Sequence, residues 1–180
     1  MEQEQALPTQ AVLLQTKEAR FEHAMETHLL KVYRLCYWLV KDKTAAEDIC
    51  QDVFLKAYKH LDSFRGDSKL ETWLYRIAVN EAKRYVRSWT FRHLLYFAQP
   101  KSRESTDIES QVIKKDGEAK VGKHVDALPF KYRQVIILHY YEELEAEDIA
   151  SILGITQGAV YTRLHRARQR LKTFMQKEGD

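Results

Sequence analysis

The sequence is poor in turn formers. Six Gly and three Pro in 180 residues are too few for a sandwich or barrel of many short strands, and the scarcity points to helices. Cysteine is scarce too. Cys36 and Cys50 lie in apolar, helix-like surroundings at a separation that is neither a disulfide framework nor metal-ligand spacing, which fits a reducing compartment. Long hydrophobic runs are missing. The longest, Leu35 to Val40, cannot span a bilayer, and Val12-Leu13-Leu14 behind an acidic start is too short for a signal core. Nor is there a strong excess of one charge: 29 Lys and Arg stand against 26 Asp and Glu, a net of +3 that by itself names no polyanionic partner. What remains, 44% hydrophobic and 31% charged residues, suits a globular chain and excludes full disorder. The expectation is an all-α, soluble, cytoplasmic protein.

Helical spacing organises most of the chain. Phe21, Met25, Leu29, Val32, Leu35 and Leu39 predict a helix over Lys17–Val40. A second opens at Thr44-Ala-Ala-Glu47, where Thr44 is the expected cap and Glu47 completes a capping box, and it continues through Ile49, Val53, Ala57 and Leu61. Ser68-Lys-Leu-Glu71 is read as another capping box, starting a helix that runs to about Arg92. From Pro100 to Gly122 only Ile108, Val112, Ile113, Ala119 and Val121 are apolar, the texture of a linker. Beyond it a short helix is expected around 123–127. Pro129 would stand at the first position of a helix over Phe130–Tyr141, and two more helices follow at Glu147–Leu153 and Gln157–Met175. The architecture expected is two small helical domains joined by a flexible linker.

The last two helices have helix-turn-helix spacing. Ala150 is small at the helix crossing, Gly154 falls where the turn wants a left-handed residue, Thr156 suits a cap, and Val160 faces inward. Thr156–Lys172 carries five bases and no acid, while Glu142–Asp148 carries five acids and no base. A basic second helix suits a major groove. Glu145 stands where a Ser or Thr cap would be expected. The outward positions Gln157, Tyr161, Thr162, Arg163, His165, Arg166, Arg168 and Arg170 are the candidate duplex contacts. Of these, Tyr161, Thr162, His165 and Arg166 are expected at base edges, and Arg163, Arg168 and Arg170 at phosphates.

The helix from Ser68 is the second charged element, with six bases and two acids between Lys69 and Arg92. Trp73, Arg76, Asn80, Arg84 and Arg87 share one stripe, with Leu70, Leu74 and Ile77 on a neighbouring one that can be buried. A ring that stacks on bases, arginines that hold phosphates and an amide for a base edge make a platform for an unpaired strand. A Trp at a core edge with snorkelling arginines is the bland alternative. A second nucleic-acid-reading element in the same chain decides against it.

Several linked motifs then carry a family likeness. Ala46-Glu-Asp-Ile-Cys-Gln-Asp-Val-Phe-Leu-Lys-Ala-Tyr58, Ser63-Phe-Arg-Gly-Asp67, Thr72-Trp-Leu-Tyr-Arg-Ile-Ala-Val-Asn80, Leu128-Pro-Phe-Lys-Tyr-Arg-Gln-Val-Ile-Ile-Leu138 and the bihelix occur in one order. In these the chain resembles a bacterial RNA polymerase sigma factor of the extracytoplasmic-function type. The resemblance implies an N-terminal extension over 1–17, sigma region 2 over 18–93, a linker over 94–122 and region 4 over 123–178. It further implies that Asp48, Gln51, Asp52 and Leu55 dock on the β′ coiled coil of core RNA polymerase, with region 4 near the β flap. Phe64, Trp73, Arg76 and Asn80, with the bases Lys83, Arg84 and Arg87, would take the −10 element as an unpaired strand. The second bihelix helix would read the −35 element as duplex. An anti-sigma factor, often membrane-anchored, is an implied partner, and the chain is expected to be monomeric when free or 1:1 with it. Promoter elements about two turns apart lie roughly 70 Å from each other. The 23 residues of the apolar-poor stretch Pro100–Gly122 reach ~75–80 Å extended but average only ~26 Å as a coil. The linker is therefore expected to be extended along polymerase and compact in the free protein.

No chemistry of the chain's own is expected. Gly117–His124 begins like a phosphate-binding loop, but His124 stands where the metal-binding Ser or Thr should be and no strand precedes it. His23 and His28 fall on different helix faces, and neither Cys has a neighbour that would lower its pKa. Asp48 and Asp52 share a face, which suits docking far better than a cation site. No cofactor, metal or catalytic residue is expected. The rival from another class is a stand-alone helix-turn-helix regulator binding duplex DNA as a dimer. It has no use for the Trp73, Arg76 and Asn80 stripe or for the Asp48/Asp52 face.

Overall fold

The computed structural model describes residues 16–96 and 116–177. The expected N-terminal extension before Thr16, residues 97–115 of the expected linker and the last three residues lie outside them. Every element described is helical: α1 Lys17–Val40, α2 Lys43–His60, α3 Leu70–Tyr96, α4 Asp116–Ala127, α5 Phe130–Ile136, α6 Ala146–Leu153 and α7 Gln157–Lys177. A 3-10 turn at Leu61–Ser63 follows α2, and a wide π turn at Ile137–Tyr141 follows α5.

The starts and stops differ from the expected ones for local reasons. Thr16 caps α1, its hydroxyl accepting from the Ala19 amide at 3.1 Å. α1 ends on Lys41, a residue in the left-handed conformation (φ 56°) whose amide donates to the Tyr37 carbonyl at 2.8 Å. That corner leaves one extended residue before the chain turns helical again. Asp42 therefore caps α2, accepting from the Ala45 amide at 2.9 Å, and Thr44 is already inside the helix. α3 likewise starts one residue after the expected Ser68 box would allow, the Lys69 carbonyl accepting its first bond, and it runs past Arg92 to Tyr96. Pro129 precedes the first turn of α5, with extended ψ (140°), instead of occupying it. Both ends of the segment read as linker are helical: residues 94–96 close α3 and Asp116–Gly122 opens α4.

α1, α2 and α3 pack on one another through Val32, Leu35 and Leu39, Ile49 and Val53, and Leu74 and Ala78. Helices α4 to α7 enclose Leu128, Val135, Ile149, Val160 and Leu164. The two halves touch. α6 lies against α3, and the C-terminal end of α1 meets α5 and the π turn. Here Arg133 donates to the Leu39 carbonyl (2.9 Å) and to the Asp126 carbonyl (2.6 Å), Lys41 pairs with Asp126 (2.9 Å), and Trp38 meets Tyr141 at 4.8 Å between ring centroids.

Gly154 joins α6 to α7 at φ 62°, with open space where a Cβ would stand. The cost of a side chain there is thus a backbone cost alone, about 1–2 kcal/mol for Ala. Gly154→Ala should lower urea stability by that amount, and Gly154→Asn, whose amide tolerates the left-handed region, by less.

Candidate nucleic-acid interface

In α3 the expected stripe is outward. Arg76, Asn80, Lys83, Arg84 and Arg87 are exposed, while Trp73 is half-buried. Leu74 on the neighbouring stripe is fully buried, and Leu70 and Ile77 are half-buried. The 3-10 turn after α2, held by the Ser63 hydroxyl on the His60 carbonyl (2.7 Å) and followed by Gly66 at φ 77°, returns Phe64 to Trp73. Their centroids are 5.2 Å apart with planes at 39°. Two aromatic rings thus sit side by side at the head of a row of cations.

Not all of those cations are unengaged. Glu81, only 8% exposed, pairs with Lys56 of α2 and with Arg84, which also reaches Asp52 at 3.7 Å. Arg76 donates to the Ser151 hydroxyl of α6 at 2.7 Å. The Glu81–Arg84 contact has a sequence signal, as an i,i+3 pair; the Arg76 contact spans 75 positions and has none.

On α2, Asp48, Gln51, Asp52 and Leu55 form an exposed row, with Ile49 and Val53 buried behind it. Leu55 is 59% exposed, a large apolar side chain among acids.

The bihelix has the expected interior: Gly154 left-handed, Val160 fully buried, Ala150 nearly so, and Thr156 capping α7 through the Ala159 amide at 3.2 Å. Glu145 offers no side-chain cap to α6, and its carbonyl accepts from Ile149. On α7, Gln157, Tyr161, Thr162, His165, Arg166, Arg168 and Arg170 are exposed and Arg163 is half-buried. Tyr161 is 62% exposed. Two tyrosines that local pattern does not single out flank this helix. Tyr140, from the π turn, accepts from the Arg168 guanidinium at 2.8 Å. Tyr132 of α5 lies under Arg170 at 5.3 Å, with Arg166 close by. Burial pushes the Tyr132 phenol up, but the neighbouring cations Arg166, Lys131 and Arg170 outweigh it and hold it below the ordinary tyrosine value. Arg166, expected at a base edge, is therefore turned toward α5 in the free chain, alongside Arg170.

Comparison with known proteins agrees with this layout. The sigma-70 region 2 family model matches residues 24–90, and the sigma-70 region 4 model matches 120–171. The ECF RNA polymerase sigma factor SigW of Bacillus subtilis (strain 168) is 35% identical over 164 residues, 84% of this chain and 87% of that relative. The ECF RNA polymerase sigma-E factor of Escherichia coli (strain K12) is 35% identical over 146 residues, 72% of this chain and 73% of its own. This chain belongs to the ECF group of the sigma-70 family. Among solved structures, a chain of the co-crystal of the sigma factor RpoE with the anti-sigma factor NepR from Bartonella quintana matches with TM-score 0.72 at 27% identity, covering 87% of this chain and 97% of that one. A chain of CnrH in complex with the cytosolic domain of CnrY shares the fold, at TM-score 0.66 and 23% identity over 93% of this chain and 94% of its own.

Sigma factors bind core RNA polymerase and direct it to promoter DNA, and they are not enzymes. A region 2 match over most of the first half is what a stand-alone regulator would lack. Among the described residues of this sigma factor, no three His, Cys, Asp or Glu are grouped as metal ligands. Its two thiols are buried, and burial pushes Cys50 up to about 11 and Cys36 higher still. A thiol reagent at pH 8 should therefore leave the native protein untouched and titrate both cysteines only in denaturant. Rapid reaction of one thiol in the native protein would contradict this burial.

Proposed function

We propose that this sigma factor divides its work among three surfaces. The exposed row Asp48, Gln51, Asp52 and Leu55 docks on core polymerase. Phe64, Trp73, Arg76, Asn80, Lys83, Arg84 and Arg87 take the unpaired −10 strand. Helix α7, through Gln157, Tyr161, Thr162, Arg163, His165, Arg166, Arg168 and Arg170, reads the −35 duplex. The observation that carries this division is the outward stripe of α3, where the Phe64–Trp73 ring pair heads a row of cations and an amide. Rings of this kind stack on bases of any identity, and stacking is available only when the bases are unpaired. α7 instead offers helix-borne polar and basic side chains, which suit base edges in a major groove.

Control by an anti-sigma factor, in a 1:1 complex with a chain that is otherwise monomeric, belongs to the same proposal. Its support is the fold shared with a sigma factor crystallised with such a partner. A cytoplasmic location follows from acting on polymerase, and no described helix is long and apolar enough to cross a membrane. No catalytic residue, metal or cofactor is assigned.

Two measurements separate the surfaces. Reversing Asp48 and Asp52 to Lys should weaken core-polymerase binding while helicity stays the same. Stability should shift by about 1 kcal/mol or less, because both carboxylates are exposed and the Asp52–Arg84 contact is a surface pair. Normal polymerase binding by that variant would move docking to another surface. The double variant Trp73→Ala/Asn80→Ala should spare −35 duplex binding and impair promoter opening, read by permanganate reactivity of −10 thymines. An open bubble of unchanged extent would sink the strand platform.

A further inference from the structure

Tyr140 is 52% exposed, too open to serve the core, yet it is held on two sides. It stands in the π turn Ile137–Tyr141, and its hydroxyl accepts from Arg168 Nε of α7 at 2.8 Å. From the turn side the His139 ring meets the Tyr140 ring edge-on, with centroids 4.8 Å apart and planes at 71°. His139 is itself tied down. Its Nδ1 donates to the Leu144 carbonyl at 3.0 Å, since a carbonyl can only accept. The phenol is therefore braced from behind and grips a single atom of α7.

That atom leaves the useful end of the arginine open. Besides Nε–H, a guanidinium carries a terminal fork of N–H donors on its two Nη atoms, and the fork matches two oxygens of a phosphate. Tyr140 takes the Nε donor only. Among the described residues no carboxylate forms an ion pair with Arg168, which is exposed. Arg168 stands one residue after the buried Ala167, at the edge of the buried face of α7. Arg170, two positions on, is turned about 200° around the helix and lies over the Tyr132 ring of α5 at 5.3 Å. The two arginines thus occupy opposite flanks. A helix seated in a major groove has one strand of phosphates along each flank, so they face different strands.

We propose that Tyr140 is a positioning residue for the −35 duplex: it presents Arg168 to a backbone phosphate of one strand, and it acts on binding through Arg168 alone. This deepens the −35 reading and rests on Arg168 holding a phosphate. An arginine side chain loses much of its rotamer freedom when a ligand fixes it. Here the hydroxyl fixes the guanidinium before the duplex arrives, so less of that loss falls on binding. The gain carries no sequence information, because every step of a duplex offers the same phosphate.

The test uses the chain assembled with core polymerase and two duplex promoter fragments, one with the intact −35 element and one with a single −35 base pair changed. Tyr140→Phe keeps the ring and removes only the acceptor. It should lower affinity for both fragments by the same factor, about three- to tenfold. Arg168→Ala should lower affinity at least as much, and adding Tyr140→Phe to it should change nothing further. In an Arg170→Ala background, on the other flank, Tyr140→Phe should keep its full effect. Unchanged affinity on Tyr140→Phe would overturn the proposal. So would a loss that persists in the Arg168→Ala background, because Tyr140 would then touch the duplex itself or merely support the fold. A loss confined to one fragment would overturn the phosphate role. Unchanged affinity on Arg168→Ala would overturn the phosphate reading of Arg168 on which the proposal rests.

Discussion

Helix α3 is a core element and a charged surface over the same stretch of chain, so its rotation about its own axis sets almost everything else. Leu74, Ala78 and Ala82 recur every fourth residue and are all fully buried. The two alanines let neighbouring helices come close, and turning the helix by one position would put larger side chains there, Val79 and Lys83 or Ile77 and Glu81. Trp73, Arg76, Asn80, Arg84 and Arg87 then face outward by the same periodicity. The ion pair of Glu81 with Lys56 pins that rotation from the α2 side, because a carboxylate this buried has no favourable alternative to its cation. One acid in a basic stripe looks like a defect in the charge pattern. In the folded chain it fixes the direction in which the other charges point.

Periodicity is readable wherever contact is local. The spacing of α1, the left-handed Gly154, the Thr156 cap and the outward Asp48 and Asp52 all follow from a few neighbouring residues. Legibility ends where a backbone choice outranks a preference. Thr44 is a good cap by type, yet the left-handed Lys41 leaves only Asp42 free to serve. The π turn has no sequence signature of its own, since a bond from the Glu142 amide to the Ile137 carbonyl shifts the register by one residue without changing composition. The site is legible as a set of exposed side chains and illegible as a set of partners. Arg76 to Ser151, Tyr75 to Glu142 and Arg133 to Leu39 join residues 67 to 94 positions apart, which no local pattern encodes.

The π turn has a consequence that links these partners. Consecutive tyrosines leave it for different neighbours: Tyr140 takes Arg168 on the flank of α7, and Tyr141 meets Trp38 on α1. Glu142 follows immediately and takes Tyr75 of α3. Within three residues the chain touches the recognition helix and two helices of the other half. Separating the halves therefore removes the contacts that hold one side of this turn, while the Tyr140–Arg168 bond stays within the bihelix.

Charge shows what the packing of α6 against α3 does to the basic surfaces. The net of +3 hides two strongly basic surfaces and an acidic run, and an exposed basic surface binds any duplex through its phosphates. Non-specific sites outnumber promoters enormously, so a chain that displayed both surfaces would be held mostly on the wrong DNA. Packing α6 on α3 occupies Arg76, and pairing Arg84 with Glu81 and Asp52 occupies a second base of the stripe. Neither contact is strong singly, since both arginines remain exposed.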